Sequence, residues 1–289
     1  MHPTAAEFLA SAEETLLRDE GLHNLILGLA SRVRDGRSYG DTPPYFLTVE
    51  ERGEVLVAAA RTPPHPLVLA VPSGNATGIE LLVDHLLESD PDLPGVNGLI
   101  PHATAFATLW AARRPAAVKV AMELRIHELR KVIPPAGVPG FLRPALDRER
   151  DLLAEWIQGF QAEAVPDDPP VDPYDILDRF SAAPATLRVW DHGGPVSMAG
   201  SSRVSARGAR VSLVYTPPAH RGHGYASACV AGLSQFLLDQ GYAFCTLYTD
   251  LANPVSNKIY HRIGYRPIGD AAVYRFSPHS QPARKPGGP

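Results

Sequence analysis

The sequence predicts an α/β (α+β) fold in which helices flank a mixed, mostly antiparallel sheet, organised as two domains in tandem. The chain has 289 residues, more than an average domain contains. Helix-like and strand-like patterns of apolar residues alternate along most of it. The late part of each half has the same order of elements at an offset of about 145 to 155 residues, which indicates an internal duplication. Two unrelated α/β domains would also explain this order.

The amino-acid composition excludes several classes of protein. Apolar residues make up 45% of the chain and charged residues 20%, as in ordinary globular proteins. The net charge of -4 gives no electrostatic basis for binding nucleic acid. Two cysteines, Cys229 and Cys245, are too few for a disulfide scaffold or a four-thiolate zinc site. No apolar run is long enough to span a membrane, and the start of the chain is acidic instead of resembling a signal peptide. We therefore expect a cytoplasmic protein with no metal and no nucleic-acid or membrane partner.

The first half is predicted to begin with helices and then to alternate. Thr4 and Glu7 form a capping-box pattern, so a helix begins there and continues towards Gly21. The spacing of apolar residues predicts further helices at 22–33, 77–88 and 103–112. Strands are predicted at 45–50, 55–60, 67–71, 96–100 and 118–129. The Pro- and Gly-rich run at 133–140 predicts a linker, so we divide the chain into a domain at 1–130, a linker at 131–140 and a domain at 141–276.

The second half is predicted to repeat this order. Helices are predicted at 147–162, 174–180, 224–238 and 253–263. Strands are predicted at 141–143, 186–190, 196–205, 210–216, 244–248 and 273–276. Turn-rich segments separate the strands between 186 and 216, which is typical of an antiparallel meander. Residues 277–289 read as a loose tail.

The segment most informative about function is 211–226, where a strand runs into two prolines and a glycine-containing turn opens a helix. Gly222 and Gly224 let the backbone approach a ligand closely, and the first N–H groups of the helix can donate to a diphosphate. A tight strand-to-helix turn would use the same glycines. Two nucleotide motifs are excluded. The chain has no Gly-Lys-Ser/Thr, and Asp239 and Asp250 stand too early and too late for the acid of a Rossmann fingerprint.

The run Arg221-Gly222-His223-Gly224-Tyr225-Ala226 resembles the Arg/Gln-x-x-Gly-x-Gly/Ala hallmark of the GNAT family, the acyl-CoA-dependent N-acetyltransferases. Further along, the segment from Asn253 to Tyr265 resembles the family's Asn-x-x-Ala/Ser…Tyr…Gly-Phe/Tyr segment. The resemblance spans residues 141–276 and is nearest to the FR47-like branch. It identifies the second half as a GNAT domain and suggests a tandem GNAT protein.

The resemblance implies a splayed V between the strand ending at Thr216 and the strand at 244–248. The pantetheine arm of acetyl-CoA, the co-substrate, would lie between them. Backbone N–H groups from His223 to Ala226 would hold the pyrophosphate, and Ser227 would either add a hydrogen bond or face solvent. Arg221 would shape the loop or face a phosphate. The cofactor-binding residues implied are Val214, Tyr215, Thr216, Arg221, Gly222, His223, Gly224, Tyr225, Ala226, Ser227, Asn253, Ser256, Asn257 and Tyr260.

The chemistry implied by the resemblance needs few groups. Backbone donors near residues 214–216 would stabilise an oxyanion, and Tyr260 would protonate the departing thiolate. Tyr260 would equally serve as an ordinary core aromatic of its helix. Asn253 precedes a proline at a helix start, so it serves as an N-cap whether or not it also contacts the cofactor. No glutamate stands on the strand at 210–216 to act as base. Asp250 is a weak substitute that also fits a role in its loop.

The predicted function is transfer of an acetyl group from acetyl-CoA to a primary amine of a small molecule, peptide or protein. The alternative is a non-catalytic acyl-CoA-binding or interaction module of the same fold, which the absent strand carboxylate favours. In the first half, the loop at 72–78 lacks the Arg-x-x-Gly-x-Ala pattern. We therefore interpret residues 1–130 as a degenerate copy that completes the fold and walls the acceptor pocket. The sequence does not indicate an oligomeric state.

Overall fold

The computed structural model describes residues 1–74, 77–114, 116–166, 169–181 and 185–278. The strands are β1 Tyr45–Glu51, β2 Glu54–Arg61, β3 Leu67–Ala70, β4 Gly95–Leu99, β5 Ala116–Leu129, β6 Phe141–Pro144, β7 Thr186–Asp191, β8 Pro195–Arg203, β9 Gly208–Tyr215, β10 Phe244–Asp250 and β11 Arg266–Pro278. The helices are α1 Ala5–Leu16, α2 Asn24–Arg34, α3 Thr77–Ser89, α4 Ile100–Arg113, α5 Arg150–Ala164, α6 Pro173–Ser181, α7 Tyr225–Asp239 and α8 Pro254–Arg262.

The strands within this described part form one continuous mixed sheet, in the order β1-β2-β3-β4-β11-β5-β10-β9-β8-β7-β6. Only two neighbouring pairs are parallel, β3 with β4 and β9 with β10. The remaining pairs are antiparallel. The predicted fold class, a mixed and mostly antiparallel sheet flanked by helices, is therefore confirmed.

The two halves have the same order of elements. The first half runs β1-β2-β3-α3-β4-α4-β5, and the second runs β7-β8-β9-α7-β10-α8-β11. In each, two antiparallel pairings are followed by one parallel pairing across a helix. Two helices precede each series, α1 and α2 in one half and α5 and α6 in the other. The repeat seen in the sequence is thus present in the pairing of the strands as well.

The last strand of each half lies in the part of the sheet built by the other half. β5 pairs with β10 on one side and β11 on the other, and β11 pairs with β4. Both β5 and β11 are therefore paired along both edges with strands of the other half of the chain. The sequence pattern predicted a strand at each place but not this exchange, because apolar periodicity carries no information about the partner of a strand.

Helices cover both faces of the sheet. In the first half, alternate strand residues pack either with α1 and α2, as Phe46 and Ala58 do, or with α3 and α4, as Leu47 and Val57 do. In the second half, Met198 packs with α5 and α6, whereas its neighbour Ala199 packs with α7 and α8. This alternation follows from the two-residue period of a strand.

Several element boundaries differ from the prediction. β11 begins seven residues before the predicted strand and continues to Pro278, so Ser277 lies in the sheet and not in the predicted tail. The tail residues 279–289 lie outside the described residues. The predicted linker, residues 131–140, contains neither helix nor strand and packs along the second half. Its Pro139 carbonyl accepts a hydrogen bond of 2.9 Å from the Trp190 indole.

Among the described residues, none of the helices has the length and apolar character that crossing a membrane requires.

Candidate functional site

The site predicted from the sequence lies where β9 and β10 separate. The two strands pair in parallel over three residue pairs, of which Arg210 with Thr246 is the last. β9 then continues to Tyr215 and β10 to Asp250 without further pairing between them in the described structure. The strands thus form the predicted V, whose arms are several residues long. In the first half, β3 and β4 also pair over three residue pairs, but each strand ends one residue after the last of these pairs. No comparable V therefore forms between them.

A β-bulge interrupts β9 inside the V. Tyr215 pairs with Met198 and Ser212 pairs with Gly200, so two residues of β9 oppose one residue of β8. Leu213 has a φ of 50°, in the left-handed region that side chains other than glycine rarely adopt. A bulge of this kind turns backbone groups away from the regular ladder. It therefore alters the direction of the N–H and C=O groups next to Val214, where the sequence predicted donors to an oxyanion.

The glycine-containing turn leaves the start of α7 open. Gly222 has a φ of 83° and Gly224 a φ of 79°, and no atom stands within 4 Å of where a Cβ of Gly222 would lie. Gly224 is the N-cap and provides no side chain to the helix start. The first intrahelical bond runs from the Ala228 N–H to the Gly224 carbonyl, at 3.0 Å. The preceding N–H groups have no acceptor within the helix and can bind an anion.

The predicted pyrophosphate-binding residues all lie at this turn or in the first turn of α7. His223 is exposed and its ring stacks on Tyr225, with 5.5 Å between centroids. Tyr225 itself is buried, whereas Ala226 and Ser227 are half-buried. The exposed face is therefore formed by backbone and by His223, as a site for a phosphate-containing ligand requires.

Arg221 holds the turn against the rest of the domain. Its Nε donates to the Thr216 carbonyl at 2.9 Å, and one Nη donates to both carboxylate oxygens of Glu163 at 2.8 Å. The Glu163 carboxylate raises the pKa of Arg221. These contacts favour the first of the two roles considered for Arg221, that of shaping the loop.

The strand end before the turn is anchored as well. The Ser197 hydroxyl donates to the Tyr215 carbonyl at 3.1 Å, and the Thr216 hydroxyl donates to Ser197 Oγ at 2.9 Å. The ring of Tyr215 packs on Gly159 of α5, where a Cβ would collide with the phenol oxygen. These contacts fix the arm of the V that carries residues 214–216.

Tyr260 lies in the core cluster beneath the V. The cluster contains Leu247 of β10 and Cys229 of α7, and the Tyr260 ring makes an edge contact with Tyr265 at 6.0 Å. Burial, together with the nearby Cys229 thiol, raises the pKa of Tyr260. The predicted acid is thus next to the strands of the V, and it also fills the core as an ordinary helix aromatic does.

The remaining predicted residues build the connection between β10 and α8. Asp250 Oδ1 accepts from the Ala252 N–H at 2.8 Å, a turn contact that by itself explains this carboxylate. Asn253 directly precedes α8, as an N-cap would. Asn257 donates to the carbonyls of Asn253 and Asp250, at 2.9 and 3.2 Å. The side chain of Ser256 lies outside the described residues.

Sequence reasoning missed the polar groups on the other face of the V. Tyr248 alternates with Leu247 and therefore faces away from α7. Its hydroxyl accepts from Asn24 of α2 at 3.1 Å, across a separation of 224 residues. Arg210 lies on the same face, because it pairs with Thr246, two residues before Tyr248. No local pattern could have revealed this contact between the halves.

In the part of the chain that the structure covers, no three His, Cys, Asp or Glu residues come together as metal ligands would.

Comparison with known proteins agrees with this geometry. Residues 150–265 match the family model described as the acetyltransferase (GNAT) family. That range contains the V, the turn at 221–224, α7 and Tyr260. No curated protein matches the chain.

Solved structures with the same fold are distant in sequence. A Drosophila protein superposes with a TM-score of 0.67 at 12% identity, covering 96% of this chain and 98% of its own. A GCN5-related N-acetyltransferase from Sphaerobacter thermophilus gives a TM-score of 0.55 at 16% identity, covering 85% of this chain and 84% of its own. A GCN5-related N-acetyltransferase from Kribbella flavida gives a TM-score of 0.54 at 16% identity, covering 76% of this chain and 86% of its own.

These identities show the fold alone, and the family model supplies the relation in sequence. The chain therefore has the fold of GNAT structures, and residues 150–265 match the model of the acetyltransferase (GNAT) family.

Proposed function

We propose that the protein transfers an acetyl group from acetyl-CoA to a primary amine of a small molecule, peptide or protein. One observation carries the proposal: the strands of the V separate beside a turn whose glycines leave the helix start uncovered. An uncovered helix start binds phosphate, and separated strands admit an extended chain between them. The family whose model matches residues 150–265 is described as acetyltransferases, which supports acyl transfer.

The residues of the turn fit acetyl-CoA. The position of a Cβ at Gly222 is open space, so a phosphate can approach the backbone there. N–H groups at residues 223–226 would hold the pyrophosphate, while Arg221 keeps the turn in place through Glu163. Bound acetyl-CoA supplies the acetyl group as an activated thioester. The bulged segment at 213–215 would direct backbone donors at the thioester oxygen, and Tyr260 would hold the proton for the leaving thiolate.

The first half supports this function without a second active site. Its strands β3 and β4 end one residue after their last pair, and a Cβ on Gly98 would collide with the Leu69 carbonyl. The two strands are therefore packed closely at their last pair, Leu69 with Gly98, and have no separated arms beyond it of the length seen in β9 and β10. Asn75 and Ala76 of the corresponding loop lie outside the described residues. We propose that residues 1–130 are a degenerate copy and that the second half is nearest to the FR47-like branch.

Calorimetric titration of the ligand-free protein with acetyl-CoA tests the cofactor site. We expect one site per chain, which Gly224→Glu abolishes because a carboxylate then occupies the helix start. Two sites per chain would contradict the degenerate first copy. A screen of primary amines with the wild-type protein then measures transfer.

A second candidate, an acyl-CoA-binding module without catalysis, is favoured by the surroundings of the predicted catalytic groups. Burial raises the pKa of the Tyr260 phenol, which is already higher than the pKa near 8.5 of a thiol. Proton transfer from this phenol to the departing thiolate is therefore energetically unfavourable. Asp250 is engaged in its own turn. Binding of acetyl-CoA with no transfer to any amine would establish this second candidate.

A further inference from the structure

Two arginines meet around Tyr39, which packs against the hydrophobic cluster that includes α1 and α2. Arg32, near the end of α2, donates from Nε to the Tyr39 hydroxyl at 2.8 Å. Arg37 in the following loop lies over the Tyr39 ring, 5.3 Å from guanidinium carbon to centroid. The Arg37 N–H also bonds the Arg32 carbonyl at 2.9 Å, which fixes the loop to the helix. The Arg32 guanidinium is therefore held by a hydrogen bond and that of Arg37 by its contact with the ring, and both residues are half-buried.

A third arginine reaches the same region from the other half. Arg210 belongs to the last residue pair before β9 and β10 separate, so it stands at the apex of the V. It alternates with Val211, which packs on the α7 side, and so faces α2. Burial, and next the positive charge of Arg32, lower the pKa of Arg210 to about 10. Arg32 and Arg210 thus place like charges near each other at a partly dehydrated position.

These arginines lack the carboxylate partners that several other arginines of this protein have. Arg143, for comparison, bonds both Glu149 and Asp191. Among the described residues no ion pair forms to Arg32, Arg37 or Arg210. The Nη1 of Arg32 and the Nε of Arg37 are moreover buried with no hydrogen-bond partner. The three arginines are half-buried, and partly dehydrated like charges without a counter-charge are destabilising, so the arrangement calls for an anion.

We propose that the amine acceptor carries an oxyanion group, a carboxylate or a phosphate, which Arg32, Arg37 and Arg210 bind. This inference rests on the proposed acetyl transfer and names the class of its acceptor. The planar fork of guanidinium groups matches carboxylate and phosphate oxygens. The phosphates of acetyl-CoA are not the ligand here, because the turn that would hold them opens onto α7 while the arginines face α2. The first half then supplies part of the acceptor site through α2.

The test compares matched acceptors that differ in the presence of an anionic group. Acetyl transfer is measured with glycine against glycinamide and with O-phosphoethanolamine against ethanolamine. In the wild-type protein we expect the anionic member of a pair to have the higher kcat/KM. In Arg32→Gln and in Arg210→Gln we expect kcat/KM for the anionic acceptor to fall about 10- to 100-fold, mainly through KM, since each loses a charged hydrogen bond. The neutral member should change less than about 2-fold, within the range of surface effects.

Arg34→Gln is the matched control, because Arg34 lies on the same helix but is exposed and paired with Asp35. It should leave both acceptors unchanged. Higher kcat/KM for the neutral amines, or equal losses for both members of a pair in Arg210→Gln, would overturn the proposal.

A binding experiment separates this inference from the proposed function. The protein loaded with CoA is titrated with the same four amines by calorimetry, with no turnover. Tighter binding of the anionic amines, lost in Arg210→Gln, supports the anion site even if no amine is acetylated and the proposed function fails. No preference for the anionic amines in this titration overturns the inference, whether or not acetyl transfer occurs.

Discussion

Arg221 and Glu163 decide between two explanations of the arginine in the glycine-containing turn. If Arg221 acts by holding the turn, Glu163→Gln should weaken acetyl-CoA binding, because the carboxylate that orients Arg221 is lost. If Arg221 instead binds a phosphate directly, Glu163→Gln would leave binding unchanged or tighten it, because it frees the guanidinium. We expect a loss of about 5- to 10-fold in affinity, equivalent to roughly 1 kcal/mol. Calorimetric titration measures it.

The stability of the protein should change little in Glu163→Gln. Both partners are about half exposed, at 46% and 51% of their side chains, and exposed ion pairs contribute about 0.5 kcal/mol. Asp178→Asn is the matched control, since it removes a comparable exposed ion pair from Arg150, at the start of the same helix α5. It should affect neither binding nor transfer.

Tyr260→Phe tests the predicted acid. We expect transfer to slow by about 100-fold, the contribution typical of a positioned acid, with acetyl-CoA affinity unchanged. Because burial raises the pKa of Tyr260 above the ordinary phenol value near 10, the phenol stays protonated up to pH 10. The wild-type kcat should therefore show no loss of an acid between pH 8 and pH 10. A pH–rate profile checks this.

Tyr265→Phe is the control for removing a buried phenol from the same core. The Tyr265 hydroxyl bonds Ser234 at 2.8 Å, so its loss should cost about 1 kcal/mol of unfolding free energy without slowing transfer. Equal turnover in Tyr260→Phe and the wild type would remove Tyr260 as the acid and leave it a core residue.

Helix α7 offers a matched set of glycines at its two ends. Gly222 and Gly224 precede it, and Gly241, with a φ of 94°, follows it. Alanine at each should cost about 1 kcal/mol, because L-residues are strained at positive φ. At Gly222 the added methyl enters the open space of the predicted phosphate site. We therefore expect Gly222→Ala to lower acetyl-CoA affinity at least about 10-fold, and Gly241→Ala to destabilise equally with no effect on affinity.

Gly224→Ala should cost more stability than Gly222→Ala. Its Cβ would stand 3.0 Å from Cγ2 of Val138, in the segment between the halves. Thermal unfolding measures the stability lost in each of the three variants. Titration with acetyl-CoA then shows whether a variant has lost affinity as well as stability. Equal affinity in Gly222→Ala and Gly241→Ala would contradict the assignment of the turn as the phosphate site.

The same helix shows what a sequence reveals about an element and what it leaves out. The glycines, the prolines before them and the apolar spacing of α7 are local signals, and they located the turn and the helix within one residue or two. The ion pair of Arg221 with Glu163 spans 58 residues, and the contact of Asn24 with Tyr248 spans 224. Such contacts depend on which elements meet, so no local pattern predicts them. For the same reason the bulge at Leu213 was not anticipated.

At the scale of the whole molecule, the exchange of β5 and β11 makes the two halves depend on each other. β11 pairs with β5 over twelve residue pairs and with β4 over five. Removing it would expose an edge of β4 and an edge of β5, and an unpaired edge leaves N–H and C=O groups open to pairing with other chains. The division at 131–140 therefore follows the sequence, whereas three strand pairings of the sheet cross it.

We expect the full chain to unfold in one cooperative transition. Trp110 of α4 reports on the first half, and Trp156 and Trp190 report on the second. Trp110→Phe leaves tryptophan only in the second half, and the double variant Trp156→Phe/Trp190→Phe leaves it only in the first half. In each variant, the urea unfolding curve measured by tryptophan fluorescence should coincide with the curve measured by far-ultraviolet circular dichroism. Coincident curves are the signature of a two-state transition. Each variant serves as its own reference, so the stability lost by replacing a buried tryptophan does not bias the comparison.

A thiol measurement extends this test to the native state. Burial raises the pKa of Cys229 and of Cys245 to about 12, so both thiols should be unreactive towards a thiol reagent at pH 8 in the folded protein. Both cysteines lie in the second half, yet their reaction rate should rise in parallel with the unfolding of Trp110 in the first half, because the exchanged strands unfold together. Thiol exposure at a urea concentration that leaves the Trp110 signal native would show that the second half opens by itself, and the exchanged strands would then not couple the two halves.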